Sequence, residues 1–263
     1  MGEIFDAIGF EIPDEDSYDV LAEYAELNGE RSLVYRGGSA LHGRCWKIGR
    51  GLEVWSILYG NGDDMYYADC RPAFRSRYLR SIKPWELTEY DEGGEAIVRG
   101  TLAGTDIVFE LQNLTAVNPR VFQRQRLDVA LAGLAYSAQI LKESSRAMHG
   151  WFGPADGVPP GAADDVCEND FIINGRVRAF RDIQNPVTGS DLVWIYLDAS
   201  TISLEVLVNR RALKGRLRIG ALLNARLWLQ GHVLDEADKP ACYEGVDTDW
   251  SPSDFWWTIR RPN

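Results

Sequence analysis

The sequence lacks the short cysteine and histidine spacings that build metal centres and redox sites. Its 263 residues include four cysteines and three histidines, and no CxxC, CxxH or HExxH motif occurs. The four cysteines are widely separated, at Cys45, Cys70, Cys167 and Cys242. Because metal ligands and redox pairs in such motifs lie a few residues apart, we predict reduced thiols, no metal site and no cofactor.

Long apolar runs are also lacking. No stretch approaches the roughly 20 apolar residues that cross a membrane, and the first residues, from Met1 to Asp6, lack the basic flank of a signal peptide. A composition of 45% hydrophobic and 25% charged residues is that of a globular protein with a sizeable core. We therefore expect a protein that does not engage a membrane and that resides in the cytoplasm.

No catalytic signature occurs either. The glycine-rich stretches 36–39 and 49–51 lack the GxxxxGK[ST] pattern and the strand–helix context that hold phosphates. Catalytic groups often converge from distant positions, so an enzyme of unknown type stays an alternative. The absence of a signature favours a protein without enzymatic activity.

Charge is unevenly distributed along the chain. The net charge is −11, from 28 Lys and Arg against 39 Asp and Glu, but residues 171–234 alone carry +5. The first thirty residues hold ten acids and no Lys or Arg. An acidic segment of this kind either keeps the protein soluble or attracts a basic partner or the basic half of the same chain.

A Gly- and Pro-rich stretch at 151–170 predicts a linker between an acidic β-rich domain, residues 1–150, and a second domain, residues 171–263. In the first domain, Asp16 or Ser17 is expected to cap a helix that ends at Asn28-Gly29. The apolar positions of this helix are Val20, Leu21, Tyr24 and Leu27. From Leu52 the hydrophobic period changes to two, which predicts a hairpin across 60–64 and a meander over 85–111. The fold class is therefore α+β and mostly β, with an antiparallel first domain.

Residues 127–141 fit both a helix and a strand bulged at Ala132-Gly133, and we favour the strand. The reason is an internal echo: residues 109–111 and 126–130 resemble residues 204–206 and 216–220. The echo predicts either two copies of one β-module or chance similarity between short amphipathic strands.

The second domain contains four segments with alternating apolar residues, at 171–180, 192–198, 202–208 and 223–233. With a turn at 185–189, their order resembles an OB-fold barrel. This resemblance is architectural, covers about 65 residues and leaves the fifth strand unassigned, with Phe255 to Arg260 as a candidate. Because OB barrels bind oligonucleotides or oligosaccharides, the resemblance implies a ligand face without identifying the ligand.

Alternation predicts which side chains face outward from this barrel. The outward set interleaves aromatic rings with cationic groups, a combination suited to stacking on a base or sugar. These candidate ligand-binding residues are Arg176, Arg178, Phe180, Trp194, Tyr196, Arg226, Trp228 and His232. The alternative is that another part of the chain covers this face, either the N-terminal half or the tail with its three tryptophans, Trp250, Trp256 and Trp257.

From these features we expect a non-enzymatic binding protein that acts through protein–protein contacts, with a basic partner as the preferred type. Acidic surface and the nine tryptophans, which can anchor an interface, motivate this expectation. The first alternative is an OB-like barrel that binds an oligonucleotide, a glycan or another small ligand. No catalytic residue is predicted.

Overall fold

The structure is a computed structural model that describes residues 2–36, 39–61, 64–90, 94–141, 150–155 and 169–235. In the N-terminal part, helices α1 (Gly2–Asp6) and α2 (Glu15–Asn28) precede a four-stranded antiparallel sheet. Its strands, in spatial order, are β1 (Glu30–Arg36), β2 (Ser39–Gly49), β3 (Leu52–Asn61) and β4 (Asp64–Phe74). The predicted hairpin from Leu52 is confirmed as β3 and β4.

The predicted N-terminal helix is confirmed as α2, but it begins earlier than expected. Its N-cap is Asp14, whose Oδ1 accepts a hydrogen bond from the Ser17 backbone N at 2.8 Å, as N-caps do. The buried residues of α2 are Leu21, Ala22 and Ala25. The other apolar positions expected from the periodicity, among them Val20 and Leu27, face solvent.

A second, ten-stranded sheet forms the rest of the structure. Its first four strands are β5 (Leu79–Tyr90), β6 (Glu95–Leu102), β7 (Thr105–Leu111) and β8 (Leu127–Ile140). Its other six are β9 (Trp151–Pro154), β10 (Asp170–Gln184), β11 (Asp191–Asp198), β12 (Ser203–Asn209), β13 (Leu213–Lys214) and β14 (Leu222–Val233). Short 3-10 turns occur at Pro119–Gln123 and Arg210–Ala212. The ambiguous residues 127–141 are thus a strand, as favoured.

The strand pairings of this sheet close two five-stranded rings. Ring 1 runs β5–β6–β7–β14–β8 and returns to β5, and ring 2 runs β10–β11–β12–β8–β14 and returns to β10. Both rings contain the antiparallel pair β8–β14. The fifth strand of the OB-like barrel is therefore β8, from the first half of the chain, whereas Phe255 to Arg260 lies outside the described residues.

The two rings are copies of one module. In each, three antiparallel strands are followed by a long strand that also completes the other ring. In the parallel pairings, Glu110 of β7 lies opposite Gln230, and Glu205 of β12 lies opposite Ala132. Since Ala132 and Gln230 are themselves partners in the β8–β14 ladder, Glu110 and Glu205 occupy equivalent positions in the two modules.

This register confirms one part of the sequence echo and corrects the other. Residues 109–111 and 204–206 are equivalent, as the echo predicted. Residues 126–130 are not equivalent to 216–220, because 216–220 precede β14. The ladder instead equates 127–133 of β8 with 225–231 of β14, and the two segments end in Gly133 and Gly231.

Strands from both predicted domains are thus hydrogen-bonded within one sheet, because β8 pairs with β12, β13 and β14. Residues 156–168 of the predicted linker lie outside the described residues, and the division into domains stays a prediction. The ring interiors share one apolar cluster that includes Ile82, Phe109, Phe171 and Leu227. A second cluster joins α1, α2 and the N-terminal sheet to the outer face of ring 2.

The two equivalent glycines are closely packed by side chains of the rings. A Cβ on Gly133 would meet Leu227 Cδ2 at 2.8 Å, and a Cβ on Gly231 would overlap the ring of Phe109. We predict that Gly133→Ala or Gly231→Ala lowers the free energy of unfolding by about 1–3 kcal/mol, the usual cost of overpacking a core. Urea denaturation measures this loss.

The control for these variants is Ser137→Ala, on an exposed position of β8. This change is expected to alter the free energy of unfolding by less than about 0.5 kcal/mol. Alanine variants of the two glycines that are as stable as the control would contradict the close packing of the shared strand pair.

Candidate functional site

Trp194 and Trp228, two of the predicted ligand-binding aromatics, are buried. Their exposed fractions are 3% and 5%, and they share an apolar cluster with Phe5 and Ile8 from the N-terminus. The indole Nε1 of Trp194 donates a hydrogen bond to Glu205 Oε1 at 3.0 Å. The N-terminal half therefore covers this part of the barrel, whereas the tail with Trp250, Trp256 and Trp257 lies outside the described residues.

A β-bulge redirects Phe180. Val177 and Ala179 of β10 pair with the consecutive residues Leu197 and Tyr196 of β11, so Arg178 is an extra residue on β10. Such a bulge reverses the inward–outward alternation beyond it. Phe180 consequently packs against the interior cluster of the rings, and Ala179 joins the outer one.

Tyr196 is half-buried on the outer face of ring 2. It stacks on Tyr78, with ring centroids 4.9 Å apart, and its hydroxyl accepts a hydrogen bond from Arg80 Nη2 at 3.1 Å. Tyr78 belongs to the segment between the two sheets, and Arg80 lies at the start of β5. Tyr196 therefore helps to hold that segment on the ring.

His232 lies apart from the other predicted residues. Its ring is buried beside Trp55 of β3, with ring centroids 6.3 Å apart. Burial, reinforced by the positive charges of Arg75 and Lys47, holds the pKa of His232 well below its ordinary value. The imidazole is therefore neutral at physiological pH and lies under the N-terminal sheet.

The three predicted arginines remain exposed on ring 2. Arg176 Nη1 donates to the Gly220 carbonyl at 3.1 Å, Arg178 Nε donates to Asp198 Oδ2 at 2.8 Å, and Arg226 Nη2 donates to Asp170 Oδ2 at 3.1 Å. Each arginine is thus held by a group of the same ring. The structure does not combine them with the two tryptophans in one exposed face, and their role in ligand binding stays a prediction.

The outer side of α2 forms a surface that is both acidic and apolar. The helix contains five acids and no basic residue. Between these acids, Val20 and Leu27 are 65% and 83% exposed. Tyr24, also partly exposed, packs against Trp46 of β2 with ring centroids 4.7 Å apart, which fixes the position of the helix on the sheet.

Strand β1 extends this surface. In the register of β1 and β2, Leu33 and Tyr35 lie on the same face of the sheet as Trp46, which is the face that carries α2. Both side chains are exposed, and β1 is an edge strand of its sheet. We call this combined area the α2–β1 surface, defined by Asp16, Asp19, Val20, Glu23, Tyr24, Glu26, Leu27, Leu33 and Tyr35. Leu33 and Tyr35 were not predicted as surface residues, although the run Leu33-Val34-Tyr35 is typical of a β-strand.

A layer of charged side chains is buried between the N-terminal sheet and the rings. Arg71 Nη1 contacts Glu110 Oε1 at 2.8 Å, and Arg75 Nη2 contacts Glu53 Oε1 at 2.8 Å. Glu205, the equivalent of Glu110, accepts a hydrogen bond from the backbone N of Arg77 at 2.6 Å. All three donors come from residues 71–77, so this segment serves both rings.

Burial shifts the pKa of several carboxyl groups in this layer. Loss of solvation raises the pKa of Glu110 to about 8, against the opposing effect of Arg71, and it also raises the pKa of Glu205 and Asp69. A shifted carboxyl group is a catalytic candidate only where substrate reaches it. Because Glu110 is covered by the N-terminal sheet and Glu205 by the segment that follows it, we interpret them as structural.

Among the residues that the structure describes, no three or more His, Cys, Asp or Glu side chains are grouped to hold a metal ion. Within the same residues, no helix is long and apolar enough to cross a membrane. In comparisons with known proteins, no family model, no curated protein and no solved structure matches the chain.

The raised pKa of Glu110 predicts a pH-dependent stability. Because the folded protein keeps the Glu110 proton up to about pH 8 while the unfolded chain releases it near 4.5, this group's contribution to stability is complete below pH 4.5. It is lost as the pH rises towards 8. The free energy of unfolding should therefore decline with rising pH by at most about 1.4 kcal/mol per pH unit for this one proton. We predict that Glu110→Gln removes this part of the decline.

Chemical denaturation of the wild type and of Glu110→Gln between pH 5 and 9 measures the difference between their free energies of unfolding. The matched control is Glu86→Gln, which changes an exposed carboxylate on ring 1 and is expected to keep the wild-type pH profile. If the stability of Glu110→Gln and of the wild type fell equally with pH, Glu110 would not be the buried, protonated group described here.

Proposed function

We propose that this protein acts by binding another protein through the α2–β1 surface and that the partner presents a basic surface. The observation that carries the proposal is the composition of the solvent-facing side of α2, where four of the five acids of the helix lie around exposed aliphatic side chains. Acids alone would serve solubility. Acids arranged around apolar anchors are typical of a recognition surface.

The apolar part supplies affinity. Val20 and Leu27 are seven residues apart, which places them two turns apart on one side of the helix. A helix whose other side is already packed on a sheet has no need of them for folding. Buried in a partner's groove, side chains at such spacing act as the anchors of a helix-in-groove contact.

The acidic part supplies partner choice and the rate of association. Opposite charges at the rim of an interface steer encounter and exclude wrong partners more than they add affinity. A partner whose groove is lined by Lys or Arg would meet Asp16, Asp19 and Glu23 at the margin of the apolar contact. Binding should therefore weaken as salt is added.

The alternative from the sequence analysis is an oligonucleotide or glycan bound to the OB-like barrel. The exposed Arg176, Arg178 and Arg226 are compatible with an anionic ligand. Stacking would require Trp194 and Trp228, which the N-terminal residues bury. The geometry therefore favours protein binding.

We predict that the triple variant Asp16→Lys, Asp19→Lys, Glu23→Lys loses its partner at low salt. The reason is that the steering charge is reversed while the buried face of α2 is unchanged. Affinity capture from the source cells, followed by calorimetry with the identified and purified partner, measures the loss. At least a tenfold decrease in affinity is expected, which corresponds to about 1.4 kcal/mol.

The matched control carries the same charge change on the rings, at Asp106, Asp128 and Asp191, which are also exposed. This control is expected to retain the partner. Equal loss of affinity in both triple variants would mean that only net charge matters. Full binding by the α2 variant at low salt would exclude the α2–β1 surface as the binding site.

The apolar anchors give a separate prediction. Val20→Ser with Leu27→Ser should raise the dissociation rate of the complex by at least about tenfold and leave the association rate within about threefold, because anchors act mainly after encounter. Surface plasmon resonance with the identified partner measures both rates. Since both positions are exposed, the melting temperature should change little, and a variant with unchanged dissociation would show that these side chains are not anchors.

A further inference from the structure

The N-terminal segment, residues 4–11, lies across the outer face of ring 2 as a bound peptide would. Phe5 and Ile8 are completely buried and Phe10 nearly so. Their cluster includes Leu192 and Trp194 of β11 and Leu207 of β12. In OB-like barrels, the face of the second and third strands, together with the loop that follows the first, is the ligand-binding side. Here these elements are β11, β12 and the loop 185–190.

Ring 2 binds the backbone of this segment through side chains. Asn185 Nδ2 donates to the Ile8 carbonyl at 2.7 Å, and Asn209 Nδ2 donates to the Asp6 carbonyl at 3.0 Å. The Gly9 carbonyl accepts from Thr188 Oγ1 at 2.8 Å and from Ser190 Oγ at 2.9 Å. Side-chain donors aimed at three backbone carbonyls recognise an extended or turning chain whatever its side chains are.

Side-chain chemistry adds selectivity. The guanidinium of Arg211 forms ion pairs with both Asp6 and Glu11. Arg211 belongs to the basic stretch 210–218, which contains five Lys or Arg and no acid. The apolar anchors Phe5 and Ile8, together with these two acids, thus match an apolar face with a basic rim.

The segment has little structure of its own. Helix α1 has five residues, far fewer than an isolated helix needs to be stable in water. The conformation of the segment therefore depends on its contacts with ring 2, and also on those of Phe5 with Tyr18 of α2 and of Phe10 with Trp46 of β2. Helix α1 is followed by Glu11, Pro13 and Asp14, which are exposed and connect it to α2. The contacts that order the segment are the ones that a separate peptide would make.

We propose that the outer face of ring 2 is a peptide-binding site, that the chain's own N-terminal segment occupies it, and that it accepts in its place an acidic peptide with aromatic and aliphatic anchors from another protein. The site is distinct from the α2–β1 surface and does not depend on the function proposed for that surface. Release of the segment would uncover Trp194 and Leu207, which are otherwise inaccessible.

The test is exchange of the segment in the folded protein. A specific protease site is inserted between Ile12 and Pro13, the purified chain is cleaved, and a fluorescein-labelled synthetic peptide with the sequence of residues 2–12 is added. Fluorescence anisotropy should show saturable one-to-one binding that excess unlabelled peptide reverses. The uncleaved protein should bind at least about tenfold more weakly, because the tethered segment competes at high effective concentration.

Two adjacent arginines provide a matched pair of variants. Arg211→Glu should weaken binding of the labelled peptide by at least about tenfold, whereas Arg210→Glu, whose side chain pairs with Asp182 of the ring, should change it by less than about threefold. A peptide with Phe5→Ser and Ile8→Ser should not bind.

Circular dichroism and native mass spectrometry of the cleaved protein decide the remaining outcomes. If the cleaved chain unfolds, or if it stays folded and keeps its original segment without exchange for a day, the segment is a permanent part of the core and the proposal is overturned. Equal binding by the Arg210→Glu and Arg211→Glu variants would also overturn it, because the ion pairs would then play no part in recognition.

Discussion

A buried carboxyl group must find hydrogen-bond partners, and this fold buries one on each of its two rings. Glu110 and Glu205 lie at equivalent positions and face away from the ring interiors towards the N-terminal part of the chain, where residues 71–77 reach both. The segment 71–77 therefore has to cross above the shared strands β8 and β14. It places the guanidinium of Arg71 at Glu110 and the backbone N–H of Arg77 at Glu205. This requirement places the N-terminal sheet over the rings and determines which surfaces are covered.

The position of the N-terminal sheet over the rings explains why aromatic side chains of ring 2 are buried. It also explains why the outer side of α2 is exposed to solvent. The layer over Glu205 includes Trp194 and Tyr78, and the N-terminal segment completes it with Phe5 and Ile8. Helix α2 lies on the opposite side of its sheet from the buried charges, so its outer side meets no other part of the described structure. Apolar residues that remain exposed there, such as Leu27, have no role in the fold and are available to a partner.

Much of the architecture could be predicted from local patterns, because strand alternation and turn residues are local properties. The helix, the hairpin, the meander and the strand at 127–140 followed from them. The closure of two rings by exchanged strands could not, since no local pattern reports that β8 pairs with β12. The outward orientation predicted for Phe180 was wrong for a related reason, because the alternation did not register the bulge at Arg178. The burial of Trp228 could not be predicted either, because its apolar cluster includes residues more than 200 positions away. The similarity between residues 109–111 and 204–206 already aligned Glu110 with Glu205. Only the register of the strands showed that the two glutamates occupy equivalent positions on the two rings.

The exchange of β8 and β14 makes the two modules dependent on each other. A single module of four strands would leave the edge of its third strand unpaired, which is an aggregation hazard in a solvent-exposed sheet. Two modules that each donate their fourth strand close both edges at once, as two subunits of an intertwined dimer do. Neither ring can then open without breaking the other, so the rings should unfold in one step. The N-terminal segment contributes no strand to either ring, so its release would leave both rings closed.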